Sequence, residues 1–270
     1  MRHVLKLYLR KFLNTLGYDL ILKRNRNFDQ IIRDCFEKIQ VIPKVVVDVG
    51  ACDGSSIDRF NLLFDSQKIY AFECNPDLAD QLVIKYKESR TRIMSMGLGS
   101  KAGHIWFNKH NSSIGSSSIL DFNPEANFAR RRNLSDLTVE RVLAEIITLD
   151  QFYEKEKQEI KKEGGGEIDF LKIDTQGTEL DVLRGASNLL KKQLIKFIEL
   201  EIITTPVYLR QGKWSMTIDY LLSNGYQLVA LSNDGRFYNL GPFDIIKNPE
   251  LQFDCLFTTE TIYRKLLSGS

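Results

Sequence analysis

The sequence predicts an α/β fold built on a doubly wound, mostly parallel sheet, with a helical extension at the N-terminus. Three observations carry this. From residue 44 onward β-runs alternate with helical segments, and right-handed crossovers between such units give a parallel sheet. The runs at 44–49 and 168–174 are apolar on both faces, as strands in the middle of such a sheet must be. The first run ends in a glycine-bearing turn, Asp48 to Ser56, that leads straight into a helix.

Each element has its own justification. Residues 3–16 read as an amphipathic helix, with Leu5, Tyr8, Leu9, Phe12, Leu13 and Leu16 on one side and Arg2, Lys6, Arg10 and Asn14 on the other. Gly17 stops it, and a second helix covers 28–40. Strands are expected at 44–49, 68–73, 92–98, 168–174, 195–202, 226–231 and 252–258, and helices at 56–64, 77–87, 150–162, 178–191 and 215–224. Residues 103–147 interrupt the alternation. They read as a hairpin at His104–Lys109, a serine-rich loop through Ser118, a charged helical piece around Arg130-Arg131-Arg132 and a β-run near Arg141–Thr148. Insertions of that length are functional or disordered. Residues 154–167 read as a solvated helix end and a flexible connector, Gly164-Gly165-Gly166. The expected division is an extension over 1–42 and one domain over 43–270.

Bulk properties narrow the function. A chain of 270 residues that is 43% hydrophobic can bury one large core. A net charge of only +2 supplies no basic field for nucleic acid. The charge is uneven: residues 1–26 hold seven Lys/Arg against Asp19 alone, so this segment is +6 and the remainder −4. A basic amphipathic helix suits a peripheral contact with an anionic membrane; the same pattern also suits a helix capping the domain. Cys35, Cys52, Cys74 and Cys255 show neither a CxxC nor a metal-type pairing with histidine, which indicates a reducing compartment and no metal site. No apolar run approaches the ~20 residues that span a bilayer. Lys6, Arg10 and Lys11 interrupt what a signal peptide would keep apolar. The expected location is cytoplasmic, with a contact of residues 1–26 at the inner face of the membrane as the alternative to a helix that caps the domain.

The turn after the first strand carries the chemistry. Gly50 and Gly54 stand four apart, and the second β-run ends on Glu73, 19 residues after Gly54. A carboxylate there can accept both hydroxyls of a ribose, which suggests an adenosine-containing cofactor. A dinucleotide loop needs G-x-G-x-x-G, yet Cys52 and Ser55 occupy its second and third glycine positions. No Gly-Lys-Ser/Thr is present for a phosphate loop. Asp48 and Asp53 disfavour a phosphate and suit a cofactor with cationic groups, the ammonium and sulfonium of S-adenosylmethionine (SAM).

This loop resembles motif I of the class I SAM-dependent methyltransferases. The stretch from Ile168 to Ala186, with Asp174-Thr175-Gln176-Gly177-Thr178-Glu179, is similar to the signature of the FkbM family of methyltransferases. The similarity continues through Thr148–Phe152, Phe197–Glu201 and Phe253–Phe257, and covers about residues 44–258. It implies a Rossmann-like, seven-stranded sheet whose last strand is antiparallel, with Asn233-Asp234-Gly235 as the turn before it. It also implies SAM as cofactor, held by Asp48, Gly50, Ala51, Asp53, Gly54, Ser55, Glu73, Cys74, Asn75, Gly97, Leu98, Ser117 and Asp174.

The family's acceptors are hydroxyls of sugars, polysaccharides, polyketides and similar metabolites. A hydroxyl must lose its proton, and a carboxylate or imidazole within reach can take it. Asp174, at the end of a central strand, and Glu201 are the acceptor-side candidates; Lys172 shares a face with Asp174, and His110 is the histidine alternative. The expected acceptor is a sugar, nucleotide sugar or surface glycan. A polyketide or lipid acceptor stays open, as does a non-catalytic scaffold of the same fold. Asp174-Thr175-Gln176-Gly177 lacks the Pro-Pro-aromatic element of nucleic-acid amino methyltransferases, so no nucleic acid partner is expected.

Overall fold

The structure, a computed structural model, describes residues 27–64, 67–110, 113–126, 139–232 and 252–268. The helix expected at 3–16, the arginine cluster at 130–132 and the turn at 233–235 lie outside the described residues. Among the described residues no helix is long and apolar enough to cross a membrane.

The chain runs α1 (Phe28–Lys38), β1 (Val45–Val49), α2 (Ser55–Leu63), β2 (Lys68–Phe72), α3 (Pro76–Lys85), β3 (Thr91–Met94), β4 (Gly97–Leu98), β5 (Gly103–His110), β6 (Val139–Ile147) and α4 (Leu149–Gly164). It continues through β7 (Ile168–Ile173), α5 (Glu179–Arg184), α6 (Ser187–Lys191), β8 (Ile195–Ile203), α7 (Trp214–Ser223), β9 (Tyr226–Leu231), β10 (Gln252–Thr259) and α8 (Glu260–Ser268). The main sheet has seven strands in the order β3-β2-β1-β7-β8-β10-β9. β10 alone runs opposite to the other six strands. The order reverses at β1, so the carboxyl ends of β1 and β7 open a crevice between crossovers that leave in opposite directions.

Alternation along the strands divides the core. Val45, Val47, Val49, Leu171 and Ile173 face the layer of α4 to α7. Val46, Ile69, Phe170, Phe197 and Leu256 face α1 and α2 on the other side. There Phe36, Phe60, Phe64, Phe170 and Phe197 form a ring cluster with centroids 4.6 to 6.3 Å apart, edge-on or tilted in all but one pair.

Four expectations change. The strand expected at 92–98 breaks at Ser95-Met96: β3 stays in the main sheet, while β4 pairs with β6 in a second sheet of order β4-β6-β5. The hairpin expected at His104–Lys109 is one continuous strand, β5, paired antiparallel with β6 from Gly103↔Ile146 to His110↔Val139. The helix expected at 178–191 is interrupted at Gly185-Ala186, because the chain presses there on Gly99: a Cβ on Gly185 would sit 2.1 Å from the Gly99 carbonyl. The Asp150 carboxylate accepts N–H bonds from Asn188 and Leu189 and restarts the chain as α6. Residues 154–164 are ordered helix, capped at the start by reciprocal Thr148–Gln151 bonds and closed by Gly165. The final helix α8 has no counterpart in the sequence reading.

Candidate active site

The loop after β1 is shaped by close backbone approach. Gly50 has a φ of +87°, and a Cβ there would lie 1.9 Å from the Asp174 carbonyl oxygen. The ends of β1 and β7 thus touch through a bare glycine, which Asp174 N–H bonding to Val49 O at 3.0 Å reinforces. A Cβ on Gly54 would meet the Tyr86 hydroxyl at 2.7 Å. Both glycines serve the packing of the loop first, where the sequence reading had assigned their bare backbone to a ligand.

A cavity of about 600 Å³ opens over the carboxyl ends of β1, β2 and β7. Of the expected cofactor residues, Gly50, Asp53, Ser55 and Glu73 line it from the β1 and β2 side. Cys74, Gly97 and Leu98 line the far end, Ser117 the roof, and Asp174 the end of β7. The remaining four stand outside its wall. Asp48 is fully buried, Ala51 faces a second cavity, the Gly54 carbonyl accepts the Tyr86 hydroxyl, and the Asn75 side chain caps α3 by accepting from Asp77 N–H.

Glu73 is 6% exposed. Its Oε2 accepts Cys52 N–H and its Oε1 accepts Asn75 N–H, both at 2.7 Å. Burial outweighs these bonds and pushes its pKa up to about 7. Each oxygen keeps a further lone pair, so a cis-diol donating into the cavity completes its coordination. Gly97 packs closely on Cys74 at the far end, where a Cβ would meet Sγ at 2.4 Å. Through Glu73 this wall fits the ribose of an adenosine moiety.

A second cavity of about 500 Å³ lies on the α2 side and shares Gly50, Cys52, Ser55 and Asp174 with the first. Its floor is a ladder of charges. Asp48, Lys172 and Glu199 are register partners across β1, β7 and β8. Asp48 Oδ2 accepts the Ser56 hydroxyl, and its Oδ1 stands 3.9 Å from Lys172 Nζ. Glu199 makes a two-point bond with Arg59 at 2.7 and 2.9 Å, and Arg59 also binds Asp29. Lys172 Nζ reaches Asp174 Oδ2 at 3.3 Å. Burial alone would raise the Asp174 pKa, but Lys172 and the Gln176 amide hold it below the usual range. Lys172 keeps its charge because Asp174, Asp48 and Glu199 outweigh its burial.

Glu201 lines the second cavity beside Asp254. Burial, then the charges of Asp174 and Asp254, push its pKa well above the ordinary value. The Gln176 amide bridges Asp174 Oδ1 at 2.8 Å and Glu201 Oε2 at 2.7 Å. The structure thus brings Asp174, Glu201 and Lys172 together. His110 stands apart: it is 2% exposed, stacked on Phe122 at 4.3 Å, and tied through Nδ1 to the Ser116 carbonyl. Burial lowers its pKa. The expectation of an imidazole facing an acceptor is corrected by this position, which lies outside the walls of both cavities. Glu179, fully covered, accepts Thr175 and Gly177 N–H and shapes the turn.

A sheet of this order, with a glycine turn after β1, a buried carboxylate after β2 and an acid after β7, is that of a class I SAM-dependent methyltransferase. Comparison with known proteins makes this specific. The family description "Methyltransferase FkbM domain" matches residues 48–228, and the chain belongs to that family. A solved FkbM methyltransferase from Methylobacillus flagellatus is 15% identical with a TM-score of 0.46, covering 80% of this chain and 43% of its own. This chain therefore spans less than half the length of that relative. Magnesium protoporphyrin IX methyltransferase of Synechocystis, solved with bound SAM, is 14% identical with a TM-score of 0.41, covering 94% and 96% of the two chains. Precorrin-6y C5,15-methyltransferase of Geobacter metallireducens is 12% identical with a TM-score of 0.39, covering 88% and 93%. Among curated proteins no sequence matches.

Proposed function

We propose that the chain is an O-methyltransferase whose acceptor is a hydroxyl of a sugar, nucleotide sugar or surface glycan. The observation that carries this reading is the position of Asp174. It lines both cavities, with Glu201 beside it on the second. The donor occupies the first cavity, with its ribose diol on Glu73, and the acceptor enters through the second.

SAM supplies a methyl group already activated by its sulfonium, so placement of the two reactants accounts for most of the acceleration. The protein's remaining task is the acceptor's proton. Asp174, kept ionised by Lys172, accepts a hydrogen bond from the hydroxyl and orients it. Asp174 takes that proton as the oxygen acquires the methyl group, and Glu201, the more basic of the pair, lies beside it to share the proton. The wall of the second cavity suits a polyol, since its carboxylates with Ser55, Ser56 and Ser232 offer acceptors and hydroxyls.

Two measurements test the reading. Calorimetry with SAM and its demethylated product checks the donor site. Transfer of labelled methyl from SAM to a panel of sugars, nucleotide sugars and glycans, with the product linkage identified, checks the acceptor. Donor binding without O-methyl product across the panel, or label found on nitrogen, refutes the hydroxyl reading.

A further inference from the structure

Gln176, inside the signature stretch after β7, and Tyr208, in no motif, connect the acceptor-side carboxylates to the roof of the donor cavity. Gln176 holds a φ of 56°, in the left-handed region that side chains other than glycine seldom occupy. This conformation sets the amide between Asp174 and Glu201, where its two N–H groups are both used, at 2.8 and 2.7 Å. Its Oε1 accepts the Tyr208 hydroxyl at 2.9 Å. Tyr208 is 1% exposed and stacks on Phe122 at 5.1 Å, with His110 on the far face of Phe122.

Hydrogen counting fixes the direction of this network. The Tyr208 oxygen also lies 2.9 Å from the Ser116 carbonyl, but a phenol has one hydrogen to give. His110 Nδ1, 2.9 Å from the same carbonyl, serves it as donor. Tyr208 is then free to donate to Gln176, and every group has a partner. A reversed amide would set its oxygen against two carboxylates and its N–H groups against the hydroxyl. The roof joins through the backbone as well, since the Ser118 hydroxyl donates to the Gln176 carbonyl at 2.9 Å. Ile114, Gly115 and Ser117 of that roof line the donor cavity.

We propose that Gln176 and Tyr208 are positioning residues for methyl transfer: Tyr208 fixes the orientation of the amide, and the amide holds Asp174 and Glu201 as one pair facing the acceptor. The inference rests on the acceptor-side reading of that pair. It also couples the donor-cavity roof to the pair, so a displaced roof releases the carboxylates.

The test needs no acceptor. In the full-length chain saturated with the demethylated donor, the Glu201 carboxyl is titrated by carbon NMR and the Gln176 side-chain N–H signals are followed. The charges facing Glu201 are Asp174, Asp254 and, further off, Glu179, with Lys172 behind Asp174. In the wild type the two Gln176 protons are distinct and slow to exchange. In Tyr208→Phe they exchange faster, and the Glu201 midpoint rises by about one pH unit, a tenfold gain in proton affinity. Gln176→Leu produces the same rise, and the double variant adds nothing further. Retained heat on binding the demethylated donor shows that each variant is folded; should Tyr208→Phe fail that check, Gln176→Leu alone decides. An unchanged midpoint in folded Gln176→Leu, or in folded Tyr208→Phe, overturns the proposal, since a purely structural role would alter stability and leave the titration in place. Loss of donor binding in the wild type would instead refute the broader functional reading.

Discussion

With the donor's ribose on Glu73, as proposed, donor binding depends on pH, and the size of the effect follows from the surroundings of this carboxyl. Burial raises its pKa from 4.5 to about 7, which corresponds to about 3 kcal/mol of preference for the protonated form in the empty protein. The ribose diol donates two hydrogen bonds and needs the ionised form. Binding must therefore expel a proton below about pH 7, and affinity rises about tenfold between about pH 6 and pH 8, then levels off. The sign for folding is the opposite. A raised acid stabilises the empty fold fully below its unfolded value of 4.5, and that contribution fades as pH climbs through about 7. Glu73→Gln removes the titration and one or two charge-assisted bonds, each worth about 1.5 to 3 kcal/mol. Its donor affinity should fall by at least tenfold at about pH 8 and show no slope with pH. Calorimetry in buffers of different ionisation enthalpy measures the proton release directly, about half a proton near pH 7 in the wild type. A flat wild-type profile, or a Glu73→Gln variant that keeps the slope, refutes the assignment of the diol to Glu73.

Three further outcomes follow from the packing. Arg59→Leu strands the buried Glu199 carboxylate and should cost about 3 to 5 kcal/mol in urea denaturation; Glu199→Gln added to it should recover a measurable part. Gly97→Ala drives a methyl group into Cys74 Sγ and Ile146, so thermal unfolding should show a loss of about 1 to 3 kcal/mol, with Cys74→Ala restoring most of it. Equal stabilities with and without Cys74 would contradict that contact. Asp150→Ala removes the carboxylate that caps α6 and should cost about 1 kcal/mol by chemical denaturation, with Asp150→Asn losing less.

Much of the frame is local and could be read from sequence. The β-runs at 44–49 and 168–174 are rich in β-branched and other apolar residues, and the acids Asp48, Glu73 and Asp174 stand at the ends of β1, β2 and β7. What escaped is set by contacts between distant segments. Gln176 and Tyr208 are 32 residues apart, and their bond exists only because the chain after β8 folds back over the turn after β7. The break at Gly185 depends on Gly99, and the split of β3 from β4 depends on β6 capturing Gly97 and Leu98 for another sheet. A helical or β-period pattern holds no information about either. His110 misled for the same reason: in the sequence it precedes a serine-rich loop, whereas in the fold β5 carries it inward against Phe122.

Asp48 shows how a motif residue can act at one remove. It opens the glycine turn, and sequence reasoning places it against the cofactor, yet it is fully buried and its Oδ1 has no hydrogen-bond partner within the described structure. A carboxylate so placed is costly unless a charge compensates it, and the nearest is Lys172 at 3.9 Å. Lys172 in turn stands between Asp48 and Glu199 in register, with Asp174 beyond. Asp174 first, then Asp48 and Glu199, keep Lys172 charged against its burial, and charged Lys172 in turn holds Asp174 below the usual carboxylate range at the mouth of both cavities. The buried acid therefore reaches Asp174 through one lysine, its register partner on β7.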